Sequence, residues 1–148
     1  MPDPKRVDEE IHHALTEIRM VLPGAQALLG FQFITPVLAE FEKLPQSMKV
    51  THLISLSMTA LAVILMMTPP AYHRIVEKGE NTERFHRFTG RMLMVALVPL
   101  GLGFSADLYV VVWKVSSSDA IAAASTAALL IFIFGAWFGL PMYRRMSR

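Results

Sequence analysis

Asp107 is the single charged residue between Met92 and Trp113, in a run that is otherwise apolar or hydroxyl-bearing. An ionised Asp at the centre of a membrane-spanning helix costs about 2.5–3.5 kcal/mol. At 1.5 Å per residue Asp107 lies roughly 9 Å from Trp113, in the outer third of such a helix, where the cost is smaller. An acid in that position points to a polar cavity, an ion path or a proton site. The plainer alternatives are a structural hydrogen bond to an amide or hydroxyl on another span, or a helix that ends earlier. No basic residue inside a span is expected to pair with it, and Lys114 is the nearest in sequence. Gln32, Thr35, Thr51, His52 and Ser55 are its candidate neighbours, because they fall towards the same side of the membrane. Gln26 is a further intramembrane polar residue, but it does not share the face on which Gln32 and Thr35 lie.

The five histidines raise a haem or metal reading, since haem in a helical bundle takes axial ligands from facing helices. Their placement argues against it. His12 and His13 are adjacent and diverge on a helix, His52 has no evident partner, and His73 and His86 fall in a polar turn. There is no HExxH, no GxSxG, no P-loop and no cysteine. No catalytic residue, metal ligand or cofactor is therefore expected. Arg74, Lys78, Arg84, Arg87 and Arg91 form a basic cluster, which attracts anionic lipid head groups when it sits beside a membrane. Arg84, Arg87 and Arg91 are the expected head-group contacts. A nucleic-acid partner has no support, because the basic residues flank apolar spans.

These groups need elements to hold them, and the composition says which. Of 148 residues 53% are hydrophobic and 18% charged, with a mean hydropathy of +0.43. The charges are segregated, leaving four runs of about the 20 residues that cross roughly 30 Å of hydrocarbon as a helix. The expected spans are about 20–39, 50–70, 91–113 and 120–142. A soluble bundle of buried helices is the alternative, but four such runs leave almost no polar face for water. Length is that of one domain. The acidic first 19 residues are unlike a secretory signal.

Along the chain, Ile11, Leu15, Ile18 and Leu22 make one apolar helical face, read as a surface amphipathic helix over about 8–19 or as an extension of the first span. Pro23-Gly24 marks the start of that span or a kink in it. Thr51, Ser55, Thr59 and Ala62 form a small-residue stripe suited to packing on a neighbouring helix, with a pore-lining role as the alternative. Thr68-Pro69-Pro70 should end the second helix, because proline has no N–H and clashes with the preceding turn. Tyr72, His73 and Arg74 should then fix its end at the head-group level. Lys78-Gly79-Glu80-Asn81 is turn chemistry, and Asn81 or Thr82 caps the next helix. Pro99 should kink that helix, and Gly101 and Gly103 admit a close neighbour. Ser118 or Asp119 caps the last span. Ala120, Ala124 and Ala128, with the GxxxG of Gly135 and Gly139, permit close helix contact there.

Orientation follows from the basic residues. Eleven of the fourteen Lys and Arg lie in the N-terminal segment, the central turn and the tail, and three lie in the other two loops. Positive charge stays on the cytoplasmic side, so both termini should be cytoplasmic.

The run Leu22-Pro23-Gly24-Ala25-Gln26-Ala27-Leu28-Leu29-Gly30-Phe31, followed by Pro36, and the run Pro70-Ala71-Tyr72-His73-Arg74 resemble the LxGxQxLxxF…P and AYHR motifs of a family of small bacterial four-span membrane proteins catalogued as a domain of unknown function. The resemblance covers roughly residues 15 to 113. It implies the fold and a bacterial inner membrane, and it carries no activity and no functional residues.

The expectation is an all-α bundle of four transmembrane helices, multi-pass in a bacterial inner membrane, preceded by an amphipathic helix and assembled as a homo-oligomer. The favoured function is an oligomeric ion channel or small-solute transporter. A non-catalytic membrane subunit or scaffold is the alternative, and a haem-binding or other redox component ranks third.

Overall fold

The computed structural model of the chain describes residues 4–76 and 82–147. All regular structure among them is helical. Helix α1 spans Pro4–Ile34 and passes through a 3-10 turn, Thr35–Val37, to the short α2, Ala39–Glu42. Helix α3 is Gln46–Ile75, α4 is Glu83–Ser116 and α5 is Asp119–Phe134. A π-helical turn, Gly135–Gly139, leads from α5 to α6, Leu140–Met146. Four stretches, Glu9–Val37, Gln46–Ile75, Glu83–Ser116 and Asp119–Met146, are long and apolar enough to cross a membrane.

Helices α3 and α4 form the central antiparallel pair, α1 lies against both, and α5 packs on α4. The small-residue stripe of α3 is the reason that pair is close. Ser55, Thr59 and Ala62 are fully buried, and Gly103 of α4 sits directly on them. A Cβ at Gly103 would stand 2.7 Å from Thr59 Oγ1 and 3.0 Å from the Ser55 carbonyl oxygen, so a side chain there would force the helices apart. Gly101 turns the other way, where a Cβ would meet Ile133 of α5 at 3.1 Å. Two glycines, two residues apart, thus serve two different neighbours.

Two apolar clusters complete the packing. Ile18 and Ala25 of α1, Ala62, Val63 and Met66 of α3, and Ala96 of α4 form the larger one. The smaller joins Ile11 and Phe85, with Leu15, Tyr72 and Phe88 around them. The helix starts are capped as their sequences require. The Thr82 hydroxyl accepts from the Phe85 N–H at 3.1 Å, and the Ser118 hydroxyl accepts from the Ile121 N–H at 3.4 Å.

Several expectations change. Of the two readings of the amphipathic segment, the structure has the extension of the first span and not a separate surface helix. Residues 4 to 34 form one helix with Pro23 inside it, and the face of Ile11 and Ile18 is buried on α3 and α4. The same periodicity serves a protein face as well as a membrane face. Pro69 and Pro70 do not end the second span, because α3 continues to Ile75. Prolines release carbonyls one turn earlier, and neighbouring helices and hydroxyls make this tolerable in membrane helices. Pro69 is itself buried in the packing, and the Thr68 hydroxyl donates to the Ile64 carbonyl at 2.9 Å. The GxxxG falls on the π turn, and no atom outside its own helix lies within 4 Å of a Cβ at Gly135 or Gly139. Ala120, Ala124 and Ala128 are also exposed, so this face of the last span is left open by the described residues. The turn Lys78-Gly79-Glu80-Asn81 lies outside the described residues.

Candidate functional site

Three helices converge on Asp107. Its Oδ1 is 3.0 Å from His52 Nδ1 on α3, and its Oδ2 accepts from Gln32 Nε2 on α1 at 2.6 Å. The same amide nitrogen donates to Ser55 Oγ at 2.8 Å. Ser55 passes its own hydrogen to the Gly103 carbonyl at 2.7 Å. The second ring nitrogen of His52, Nε2, is 3.0 Å from the Gln32 main-chain carbonyl. The edge of the Phe41 ring closes on the imidazole, 5.3 Å between centroids. Gln32, His52 and Ser55 are buried, and the Asp107 side chain keeps 19% of its surface exposed.

The local sequence explains why these atoms are available. In an α-helix the Gln32 carbonyl would accept from the N–H of residue 36. Residue 36 is proline and has none, so a carbonyl near the end of α1 is open to the His52 ring. The absence of a side chain at Gly103 brings α4 near enough for Ser55 to reach its carbonyl. Helical spacing sets His52, Ser55 and Thr59 on one face of α3.

The bond directions are determined link by link. Ser55 has one hydrogen and gives it to a carbonyl that can only accept, so it must accept from Gln32. That turns the Gln32 NH₂ towards both Ser55 and Asp107. The remaining amide oxygen, Gln32 Oε1, is buried and has no partner among the described residues, which leaves one acceptor inside the cluster for a donor such as water.

The structure thus brings Gln32, His52 and Ser55, three of the candidate neighbours, together around Asp107, with His52 as the direct partner of the acid. The expectations that Asp107 lacks a basic partner within the spans, and that His52 lacks a partner, are both corrected. The signal was the matching depth of the two residues and the proline four residues after Gln32. Gln26 is exposed on the outside of α1 and does not join the cluster. Thr35 is half-buried and its hydroxyl turns back to the Phe31 carbonyl. Lys114 pairs instead with Glu40, at 3.3 Å. The Lys43 ammonium hydrogen-bonded to Glu40, followed by Lys114, holds the Glu40 carboxyl below its ordinary range.

At the other end of the central pair, Tyr72 lies 4.7 Å from the Phe88 ring and parallel to Phe85, and the His73 ring is 4.8 Å from Phe85. Tyr72 and His73 are half-buried and Arg74 is exposed. Arg84, Arg87 and Arg91 lie along one face of α4 and, with Phe88 and Met92, line a cavity of about 400 Å³. A larger, apolar groove of about 500 Å³ runs between α1, α4 and α5, with Leu28, Phe104, Phe132 and Trp137 among its walls. Among the described residues no group of three or more His, Asp or Glu gathers as a metal cluster.

No curated protein and no solved structure matches the chain. A family model does, over residues 2–141, which takes in the first three long helices, most of the fourth and every residue of the polar cluster. The chain belongs to the family of unknown function DUF6328.

Proposed function

We propose that this is a multi-pass protein of a bacterial inner membrane, with both termini cytoplasmic, that passes an ion or small solute by way of the Gln32–His52–Ser55–Asp107 cluster. The observation that carries the reading is the ionisable pair His52–Asp107, held between three apolar helices rather than left out of them. Such groups are costly in a membrane and mark ion and proton pathways. The distribution of Lys and Arg supports the orientation. In that orientation the cluster lies in the outer half of the bilayer and Arg84, Arg87 and Arg91 lie at the cytoplasmic surface. The cavity these three arginines line has the charge for the phosphate of an anionic lipid.

Four spans give little room for a pathway within one protomer, so transport requires a homo-oligomer. The exposed GxxxG face and the apolar groove beside α5 are the surfaces available for it. Flux through proteoliposomes that is lost in Asp107→Asn would bear this out. Unaltered flux in that variant would remove Asp107 from the mechanism. The same groove also favours a second reading, a membrane subunit that binds another protein. A strict monomer in mild detergent, with no flux, would shift the account to that reading.

A further inference from the structure

The cluster contains one more hydrogen than a neutral histidine and a carboxylate can supply. His52 Nε2 faces a main-chain carbonyl at 3.0 Å, and a carbonyl only accepts, so Nε2 carries a hydrogen. A neutral imidazole protonated at Nε2 presents a lone pair at Nδ1. That lone pair would face Asp107 Oδ1 at 3.0 Å, and a carboxylate oxygen also offers only lone pairs. The contact is attractive only with a hydrogen between the two atoms. A hydrogen on the other carboxylate oxygen, which receives the Gln32 N–H, would not relieve this contact, because Oδ1 would still meet Nδ1 lone pair to lone pair.

We infer that His52 and Asp107 form a binding site for one proton, shared between Nδ1 and Oδ1, and that the bound form is the net-neutral pair. The hydrogen has the same count whether it is drawn as imidazolium and carboxylate or as imidazole and carboxylic acid. The neutral pair is the form that a low-dielectric interior accepts. Removing the proton leaves one net negative charge between three apolar helices and opposes two lone pairs at contact distance, at either Nδ1 or Nε2 of His52. The single ring hydrogen then serves either the Gln32 carbonyl on α1 or the Asp107 carboxylate on α4, and one of the two His52 contacts at this end is lost. Gln32 Oε1, on the same amide that holds Asp107, is the unfilled acceptor to which an entering water donates.

The surroundings contribute little competing charge. From α1 His52 is faced by the Gln32 carbonyl, from α2 by the Phe41 ring, and from α4 by Asp107. On its own helix the neighbouring cation, Lys49, donates to the Glu42 carbonyl. Glu40, Lys43 and Lys114 at this end pair with one another.

The inference names the ion for the proposed transport site and rests on that reading for its use, but it is tested without flux. The full chain, in lipid nanodiscs, carries ¹⁵N-labelled histidine and is studied near neutral pH by solid-state NMR, with infrared spectra from the same sample. The His52 signals are assigned by their disappearance in His52→Gln. The expected result is either two protonated ring nitrogens on His52 or a carboxylic-acid band that Asp107→Asn abolishes. Raising the pH should convert that signal to a neutral ring and a free carboxylate as one event. A neutral His52 beside an ionised Asp107 at neutral pH, whichever ring nitrogen carries the hydrogen, would overturn the inference. The wild-type measurement stands even if a variant fails to fold. A shared proton without any flux would defeat the transport reading and leave this site intact, whereas flux without the shared proton would do the reverse.

Discussion

The two ends of the α3–α4 pair are closed by opposite means. His52 and Tyr72 are twenty residues apart on α3, roughly 30 Å, about the depth of a bilayer's hydrocarbon core. At the Tyr72 end, Phe85, Phe88 and Tyr72 pack ring on ring with Ile11 of α1. At the His52 end, three helices are tied by directional hydrogen bonds through Asp107. The aromatic end depends mainly on shape and buried area, with the His73 ring and the His86–Glu10 pair at 3.7 Å beside it, so the loss of one polar atom should loosen it little. The polar end depends on every donor meeting an acceptor in a low dielectric, where an unmet group is costly. The contrast places the part of the molecule able to change state at one end and the anchor at the other.

Variants that separate these two modes should differ in size and in pH behaviour. The largest loss is expected at the anchor. Phe85 is completely buried, and Phe85→Ala should lower unfolding stability by about 3–4 kcal/mol in equilibrium unfolding from mixed micelles. Asp107→Ala strips the partner from His52 and the acceptor from the Gln32 amide. It should cost about 2–3 kcal/mol, while amide protection around Tyr72 stays native. A loss spread equally over both ends would break the comparison. Gly103→Ala should cost about 2 kcal/mol, because the added methyl meets Thr59 and the Ser55 backbone and pushes α4 off the Ser55 hydroxyl. Its signature is lost amide protection near Ser55 without loss near Tyr72.

The smallest effect concerns the clamp outside the spans. Glu40 has its carboxyl held below the ordinary range by Lys43 and then Lys114. A carboxyl whose folded-state pKa is lowered contributes stability above its unfolded-state pKa and loses it as the pH falls through the folded-state value. Acid should therefore loosen α2 from the end of α4, and Glu40→Gln should flatten the acid limb of a Tm-against-pH curve. The contribution is small because the pair is exposed. Acid and base then act on different groups at the same end of the bundle.

Much of the framework was legible because it is local. The four apolar runs, the Thr82 and Ser118 caps and the small-residue stripe of α3 each follow from spacing within one segment. Asp107 was legible as an anomaly, and Gln32 and Ser55 as residues able to meet it. His52 was harder to assign because its partner is 55 residues away and its second contact is a backbone carbonyl that only Pro36 makes available. Pro69 and Pro70 misled for a related reason. A proline pair stops a solvated helix, whereas this one is held by packing that no local pattern reveals. The face of Ile11 and Ile18 could equally have met lipid or protein, since periodicity records that a face is apolar and not what covers it.

The most direct test of the contrast between the two ends is hydrogen exchange along α3 in the intact protein in bilayers, corrected for intrinsic exchange rates, as pH rises. Protection around Met48 to Ser55 should fall as the shared proton leaves, while protection around Met66 to Tyr72 stays constant. Protection that falls at both ends together, or at neither, would contradict the account.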